Sequence, residues 1–180
     1  LNLMQGSRVF VPLCGKTRDI AWLLAQGYRV VGAELSEAAI KELFEELDIE
    51  PSISIVSSLV YYQGENIEIW VGDIFDITAA ELKSVDAIYD RAALVALPES
   101  MRHQYTTHLV DITGCAPQLM ICFEYDQSVI SGPPFSITPE DVSQHYDGVY
   151  SLTLLERCNV NGGLKKKVVA DEIAWLLTAK

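Results

Sequence analysis

The chain has 180 residues, of which 49% are hydrophobic, and a formal net charge of −12 at pH 7. This length suits one domain with a sizeable core, and we expect residues 1–180 to form it. Nucleic acid and anionic membrane surfaces are polyanions, so the charge argues against both and favours a small molecule as partner.

The four cysteines, Cys14, Cys115, Cys122 and Cys158, include no CxxC pair, and a chain of this size needs no disulfide. No apolar run in the sequence reaches the length of a membrane span, and no signal peptide is recognisable. We therefore predict a cytoplasmic protein, and we take a monomer as the default because the sequence leaves the oligomeric state open. Because the chain opens at Leu1, a few residues before the first predicted strand, we also expect that an N-terminal segment is missing.

The first predicted elements are two strands around one helix. Val9 to Val11 is a short apolar run typical of a strand buried in a parallel sheet. Asp19 to Ala25 has its apolar residues on one helical face, and Tyr28 to Val31 returns as the second strand through a right-handed crossover. Gly15 follows the first strand, where it permits a sharp turn. Glu34 follows the second, so the layout predicts a nucleotide-type pocket.

The residue types narrow the ligand of this pocket. Glu34 lies nineteen residues after Gly15, close to the spacing at which an acid binds a ribose diol in such folds. The loop from Pro12 to Lys16 has one glycine and lacks the three-glycine pattern that seats a pyrophosphate. A nucleoside without phosphates, such as S-adenosylmethionine, therefore fits better than a dinucleotide. An ordinary turn with a surface glutamate is the structural alternative.

Helices and strands continue to alternate along the rest of the chain. The predicted helices are one capped by Ser36 and closed by Pro51, Ile77 to Lys83, Pro98 to Ile112, and one capped by Thr138. The predicted strands are Ile67 to Val71, Val85 to Tyr89, Leu119 to Tyr125, Tyr150 to Arg157 and Val168 to Thr178. The segment from Ser54 to Tyr62 is ambiguous.

This order predicts an α/β fold with a doubly wound, mostly parallel seven-stranded sheet and one antiparallel edge strand. Ligands of such sheets bind beyond the carboxyl ends of the strands. Gly15, Glu34, Asp73 and Arg91 all fall at predicted strand ends. We therefore expect them to converge on one cleft.

Four motifs resemble the thiopurine S-methyltransferases, above all the bacterial members: Val11–Lys16 (VPLCGK), Val31–Ser36 (VGAELS), Asp90–Pro98 (DRAALVALP) and Gly132–Phe135 (GPPF). The resemblance extends from about Arg8 to Phe135 and is weaker beyond. It implies a class I, Rossmann-like methyltransferase fold. The implied activity is transfer of a methyl group from S-adenosylmethionine to the sulfur of small aromatic or heterocyclic thiols, and also to selenium or tellurium species.

Asp73 follows a strand at whose end methyltransferase folds usually hold the adenine, and its carboxylate can accept a hydrogen bond from the amino group. Ile74 or Phe75 would pack on the ring, and we also assign Leu13 and Leu35 to the cofactor site. The alternative is that Asp73 caps the next helix and that Phe75 fills the core.

Arg91 is assigned to catalysis and to both binding sites, because the resemblance places the arginine of this Asp-Arg motif opposite the thiol. A cation there favours the nucleophilic thiolate. The alternative is an ion pair with Asp90, which we interpret as structural or as a contact to the amino acid portion of the cofactor. Pro134 and Phe135 either form the wall of the acceptor site or are structural.

Other groups give weaker signals. Lys165 to Lys167 is typical of a solvated charge run, although the resemblance allows one lysine to replace a second cation of the family. The histidines His103, His108 and His145 are predicted to be solvated, and we expect no metal site. A non-catalytic nucleoside-binding module and an NAD-type oxidoreductase remain alternative functions.

Overall fold

A computed structural model describes all 180 residues. They divide into two compact units, residues 2–89 and residues 90–180, the latter joined by Leu1. The elements of the first unit are β1 (Arg8–Val11), α1 (Arg18–Ala25), β2 (Arg29–Glu34), α2 (Glu37–Glu46), β3 (Ser52–Val56), β4 (Leu59–Gly64), β5 (Ile67–Val71), a 3-10 helix (Ile74–Asp76), α3 (Ala79–Leu82) and the start of β6 (Ala87–Arg91).

The strands of the first unit lie in the order β3-β4-β5-β2-β1-β6. Strand β2 runs parallel to β1 and β5, and β1 runs parallel to β6. The antiparallel strands β4 and β3 extend the sheet beyond β5. Because the parallel strands β1 and β2 end side by side, the residues after Val11 and at Glu34 meet at one edge of this sheet.

Helix α1 ends before Gly27 and α2 begins after Ser36, as predicted, whereas α2 ends at Glu46 and not at the predicted Pro51. The Thr17 side chain caps α1 by accepting from the Asp19 backbone amide, and Gly27 follows the helix at a φ of +81°. Ser36 caps α2 in the same way. The buried side chains of α2, Ile40, Leu43 and Phe44, join the strand residues in one apolar core.

The elements of the second unit are the end of β6, a 3-10 helix (Leu94–Ala96), α4 (Glu99–Thr113), β7 (Gln118–Tyr125), α5 (Pro139–Tyr146), β8 (Tyr150–Asn159) and β9 (Ala170–Ala179). Strand β9 pairs antiparallel with both β7 and β8, and the β8 register shifts between Leu154 and Glu156. Thr138 and Asp141 form a capping box at the start of α5, which confirms the prediction that Thr138 caps this helix.

The α/β class with parallel central strands is confirmed, but the prediction of seven strands and a single antiparallel edge strand is wrong. The structure has nine strands, and β3, β4, β8 and β9 all form antiparallel pairs. The extra pair comes from the ambiguous segment, where Ser54 lies opposite Tyr61 in a hairpin. Its outer strand β3 is mostly exposed, so it lacks the buried apolar run that would have predicted it.

The end of strand β6 differs from the prediction. Strand β6 ends at Arg91 and not at Tyr89, so Asp90 and Arg91 belong to the strand, whereas we predicted that they follow it. Asp86, just before this strand, accepts a hydrogen bond from the Arg8 backbone amide at 2.6 Å.

Among the helices, none combines the length and the apolar character needed to span a membrane.

Candidate functional site

The loop after β1 and the end of β2 are joined by the Glu34 side chain. One carboxylate oxygen accepts from the Gly15 backbone amide at 2.8 Å, and the other accepts from the Ser36 amide at 2.8 Å. Each oxygen retains a lone pair, because a carboxylate has about four acceptor positions. The half-buried Glu34 is therefore held in one orientation and can still accept two more hydrogen bonds.

The backbone of this loop is shaped for a close approach. Leu13 and Gly15 have φ values of +45° and +51°, and a Cβ added at Gly15 would have no atom within 4 Å. The amide of Cys14 donates to the Ala33 carbonyl at 2.9 Å, which ties the loop to β2. Burial, and secondly the Glu34 charge, raise the pKa of the Cys14 thiol well above its usual value. This thiol is therefore a packing group and not a nucleophile.

Asp73 lies after β5 and caps the 3-10 helix, since its carboxylate accepts from the Phe75 amide at 3.0 Å. The capping alternative is thus observed, and Asp73 remains exposed with acceptor positions left for a ligand. Ile74 is only 6% exposed, whereas Leu35, beside Glu34, is 72% exposed. Of these two apolar side chains, Leu35 has the free surface that a flat ring can cover.

These residues fit a phosphate-free nucleoside. The oriented Glu34 carboxylate offers acceptors to a ribose diol, and the open space above Gly15 leaves room beside it. The φ values above zero at Leu13 and Gly15 belong to a tight turn with one glycine. An anion at Gly15 would face the Glu34 charge, so the loop suits a hydroxylated ligand better than a pyrophosphate.

In the second unit, Asp90 is completely buried in β6. Its carboxylate accepts from the Tyr105 hydroxyl at 2.8 Å and from the Leu94 amide at 3.2 Å. Burial raises the pKa of this carboxyl to about 6, although the Tyr105 hydroxyl and the amides of Leu94 and Ala93 oppose the increase. Our structural interpretation of Asp90 agrees with these contacts.

Arg91 is the last residue of β6, and its side chain is exposed. It is followed by Ala92, whose φ of +67° is unusual for a residue with a side chain. The chain therefore turns sharply immediately after Arg91, and the buried Asp90 precedes it.

The segment with Pro134 and Phe135 is tied down at several points. The Tyr125 hydroxyl donates to the Pro134 carbonyl at 2.6 Å, and the Phe135 amide donates to the Val95 carbonyl at 2.6 Å. Among the three adjacent lysines, Lys165 donates to the Pro133 carbonyl at 2.5 Å. The segment is thus held in place by hydrogen bonds at Pro133, Pro134 and Phe135.

Phe135 also borders a cavity of about 500 Å³, lined by Glu99, Arg102, Tyr125, Gln127, Ser131, Phe135, Ser136, Thr138 and Asp141. The guanidinium of the buried Arg102 lies 5.6 Å from the centre of the Phe135 ring. Pro134 does not line this cavity, so the structure gives the two residues different surroundings.

The structure brings Gly15 and Glu34 into direct contact and adds partners that the sequence analysis missed. The Ser36 amide is one, and its role as helix cap was the available signal. Tyr105 is another, but nothing in the sequence identifies a buried hydroxyl that contacts Asp90.

His145 is half-buried and its pKa is lowered, mainly by burial, so the prediction that it is solvated is wrong. No group of three or more histidine, cysteine or acidic side chains could hold a metal ion.

The model of the thiopurine S-methyltransferase family matches residues 1–176. The thiopurine S-methyltransferase of Teredinibacter turnerae is 55% identical over 173 residues, which cover 96% of this chain and 81% of that protein. The one from Xanthobacter autotrophicus is 50% identical over 177 residues, 98% of this chain and 83% of that protein.

Solved structures with a similar fold are methyltransferases. An S-adenosylmethionine-dependent methyltransferase of Methanosarcina mazei gives a TM-score of 0.68 at 13% identity and covers 99% of this chain and 95% of its own. The magnesium protoporphyrin IX methyltransferase of Synechocystis gives 0.66 at 12% identity and covers 97% and 75%. At these identities the likeness is one of fold alone.

Proposed function

Since the chain belongs to the thiopurine S-methyltransferase family, we propose that it transfers a methyl group to the sulfur of small aromatic or heterocyclic thiols, thiopurines included. The coarser activity follows from family membership: the chain is an S-adenosylmethionine-dependent methyltransferase. The observation that carries the finer proposal is the high identity to relatives that bear the thiopurine name, across nearly the whole chain.

Glu34 is the central residue of the proposed cofactor site. Its carboxylate, oriented by two backbone amides, would accept hydrogen bonds from the ribose hydroxyls. Gly15 and Leu13 would line the sugar and the chain beside it, and Leu35 would cover the adenine ring. We assign the amino group of the adenine to Asp73, and Ile74 supports the ring from the core side.

When bound, S-adenosylmethionine supplies a methyl group made electrophilic by its sulfonium. The task of the protein is to hold the acceptor sulfur in its anionic form and in line with that methyl group. We propose that Arg91 performs the first part, since an arginine keeps its charge and favours thiolate over thiol. An aromatic thiol ionises near neutral pH, so this assignment needs no strong general base.

For the acceptor, we propose that Pro134 and Phe135 provide an apolar wall. The hydrogen bonds to Pro134 and Phe135 support this role, because a flat ligand gains more from a surface that is already rigid. Selenium and tellurium compounds are proposed as further acceptors, since their anions are also soft nucleophiles. A cytoplasmic location stays a prediction from the cysteine usage, and a monomeric state stays the default expectation.

The test is incubation with S-adenosylmethionine carrying a labelled methyl group and a panel of acceptors: aryl thiols, heterocyclic thiols including a thiopurine, and the matching phenols. We expect labelled thioethers and no labelled aryl ethers. Selenols form a separate arm of the panel. Label on oxygen, or on none of the acceptors, would contradict the proposal.

A further inference from the structure

Asp90 and Tyr105 form a buried pair, and the proposed mechanism gives neither residue a role. Both residues are completely buried, and the Tyr105 hydroxyl donates to the Asp90 carboxylate at 2.8 Å. A buried carboxylate is costly unless it is hydrogen-bonded. Asp90 directly precedes Arg91, the proposed thiol-binding residue, so the buried pair can influence how Arg91 is held.

The hydrogen bonds of Asp90 fix the chain segment that directly follows it and that starts with Arg91. The second carboxylate oxygen accepts from the Leu94 amide at 3.2 Å, four residues further along the chain. This hydrogen bond closes a short turn that starts from Arg91, the last residue of β6, and within this turn Ala92 adopts its left-handed φ of +67°. A backbone conformation of this kind persists only where surrounding contacts impose it. The hydrogen bond from the Leu94 amide to the Asp90 carboxylate is one such contact, and it comes from the interior.

Tyr105 links this turn to helix α4. Its hydroxyl is the donor to the oxygen of Asp90 that does not bind Leu94. The other titratable side chains that sense the charge of Asp90, Tyr146 of α5 and Cys122 of β7, have pKa values raised mainly by burial and are neutral at pH 7. The carboxylate thus depends on hydrogen bonds for its stabilisation, and the Tyr105 hydroxyl gives one of them.

We propose that Asp90 and Tyr105 are positioning residues for Arg91: Tyr105 orients the Asp90 carboxylate, and Asp90 closes the turn that aims the guanidinium at the acceptor. This inference rests on the proposed function, because it takes Arg91 as the group that meets the thiol. Neither Asp90 nor Tyr105 needs to touch the acceptor.

The test compares two substitutions that each remove one buried hydroxyl. Tyr105→Phe removes the donor to Asp90. Tyr150→Phe is the matched control, because the Tyr150 hydroxyl donates at 3.0 Å to the Ala116 backbone carbonyl and has no part in the Asp90 turn. Melting temperatures of both variants establish that they fold and reveal any shared loss of stability.

The readouts are the KM of the acceptor, the KM of S-adenosylmethionine, and the acceptor Kd measured by calorimetry with S-adenosylhomocysteine present. We expect Tyr105→Phe to raise the acceptor KM and Kd by roughly ten-fold, the effect of one charge-assisted hydrogen bond. The KM of S-adenosylmethionine should stay unchanged. Tyr150→Phe should leave the acceptor and the cofactor values at those of the wild type.

A double-substitution cycle separates positioning from general structure. In the Arg91→Ala background the acceptor has lost its cation, so the further change Tyr105→Phe should add almost nothing to the acceptor KM or Kd. Additive effects, or an acceptor KM for Tyr105→Phe equal to that of Tyr150→Phe, would overturn the inference. Failure of the proposed function is distinct, because the wild-type chain itself would then methylate no thiol.

Discussion

At the scale of one residue, Glu34 combines an observed structural role with a proposed role in cofactor binding. Its two oxygens satisfy the backbone amides of Gly15 and Ser36 and leave acceptor positions for a ligand. Its spacing to Gly15 indicated Glu34 as a ribose-binding acid, but the hydrogen bond from the Gly15 amide was not predicted from the sequence. Nor was the contact to Ser36 predicted, because that contact depends on how α2 begins.

Glu34→Ala should weaken S-adenosylmethionine binding by about 1–3 kcal/mol, since ribose hydroxyls and backbone amides would lose their acceptor. Calorimetric Kd values measure the effect. Glu65→Ala, which removes an exposed carboxylate from the turn before β5, is the control with no expected change. Equal Kd values for Glu34→Ala and the wild type would remove Glu34 from the site.

The raised pKa of the Asp90 carboxyl should make the free energy of unfolding depend on pH. Burial raises the pKa of its carboxyl from the ordinary 3.8 to about 6 in the folded chain. Between these values the folded state binds a proton that the unfolded state lacks, so this group lowers the free energy of unfolding as the pH rises. Asp90→Asn removes the titration.

We therefore expect the stability of the wild type, measured relative to that of Asp90→Asn, to fall from about pH 4 to about pH 7. The slope is at most about 1.4 kcal/mol per pH unit. Urea unfolding of both proteins across this range measures the difference. A difference that does not vary with pH, or that grows as the pH rises, would contradict the assignment of Asp90 as a buried carboxyl with a raised pKa.

At the scale of elements, prediction succeeded where the signal is local. Ser36 and Thr138 were identified as helix caps from their types and positions, and both accept the expected backbone hydrogen bonds. The β3–β4 hairpin was missed although Ile53 and Ile55 alternate with Ser52 and Ser54, because β3 is mostly exposed and lacks the buried apolar run by which we identified the other strands. The end of β6 was placed two residues too early, at Tyr89, because the charged residues Asp90 and Arg91 are not typical of a buried strand.

The capping box of α5 can be tested directly. The Thr138 side chain accepts from the Asp141 amide at 3.2 Å, and the Asp141 carboxylate accepts in return from the Thr138 amide at 2.8 Å. Thr138→Ala should therefore lower the free energy of unfolding by about 1 kcal/mol. Thr107→Ala, at an exposed position inside α4, is the control, and its free energy of unfolding should equal or exceed that of the wild type. Equal losses in both variants would mean that the cap contributes nothing specific.

At the scale of the whole molecule, the order of elements predicted the α/β class, whereas the argument from charge against nucleic acid stays a prediction. Binding to the folded state alone must also raise its stability. At a concentration about 100 times its Kd, S-adenosylmethionine should add about 2.7 kcal/mol to the free energy of unfolding. Thermal unfolding with and without ligand measures this, with NADH as the comparison ligand. A larger shift with NADH would favour the oxidoreductase alternative.

The most direct test of the account is a crystal structure of this chain with S-adenosylhomocysteine. We predict both ribose hydroxyls within hydrogen-bonding distance of the Glu34 carboxylate, with the adenine ring against Leu35. A ribose bound away from Glu34, or a Glu34 carboxylate turned into solvent in the complex, would contradict it.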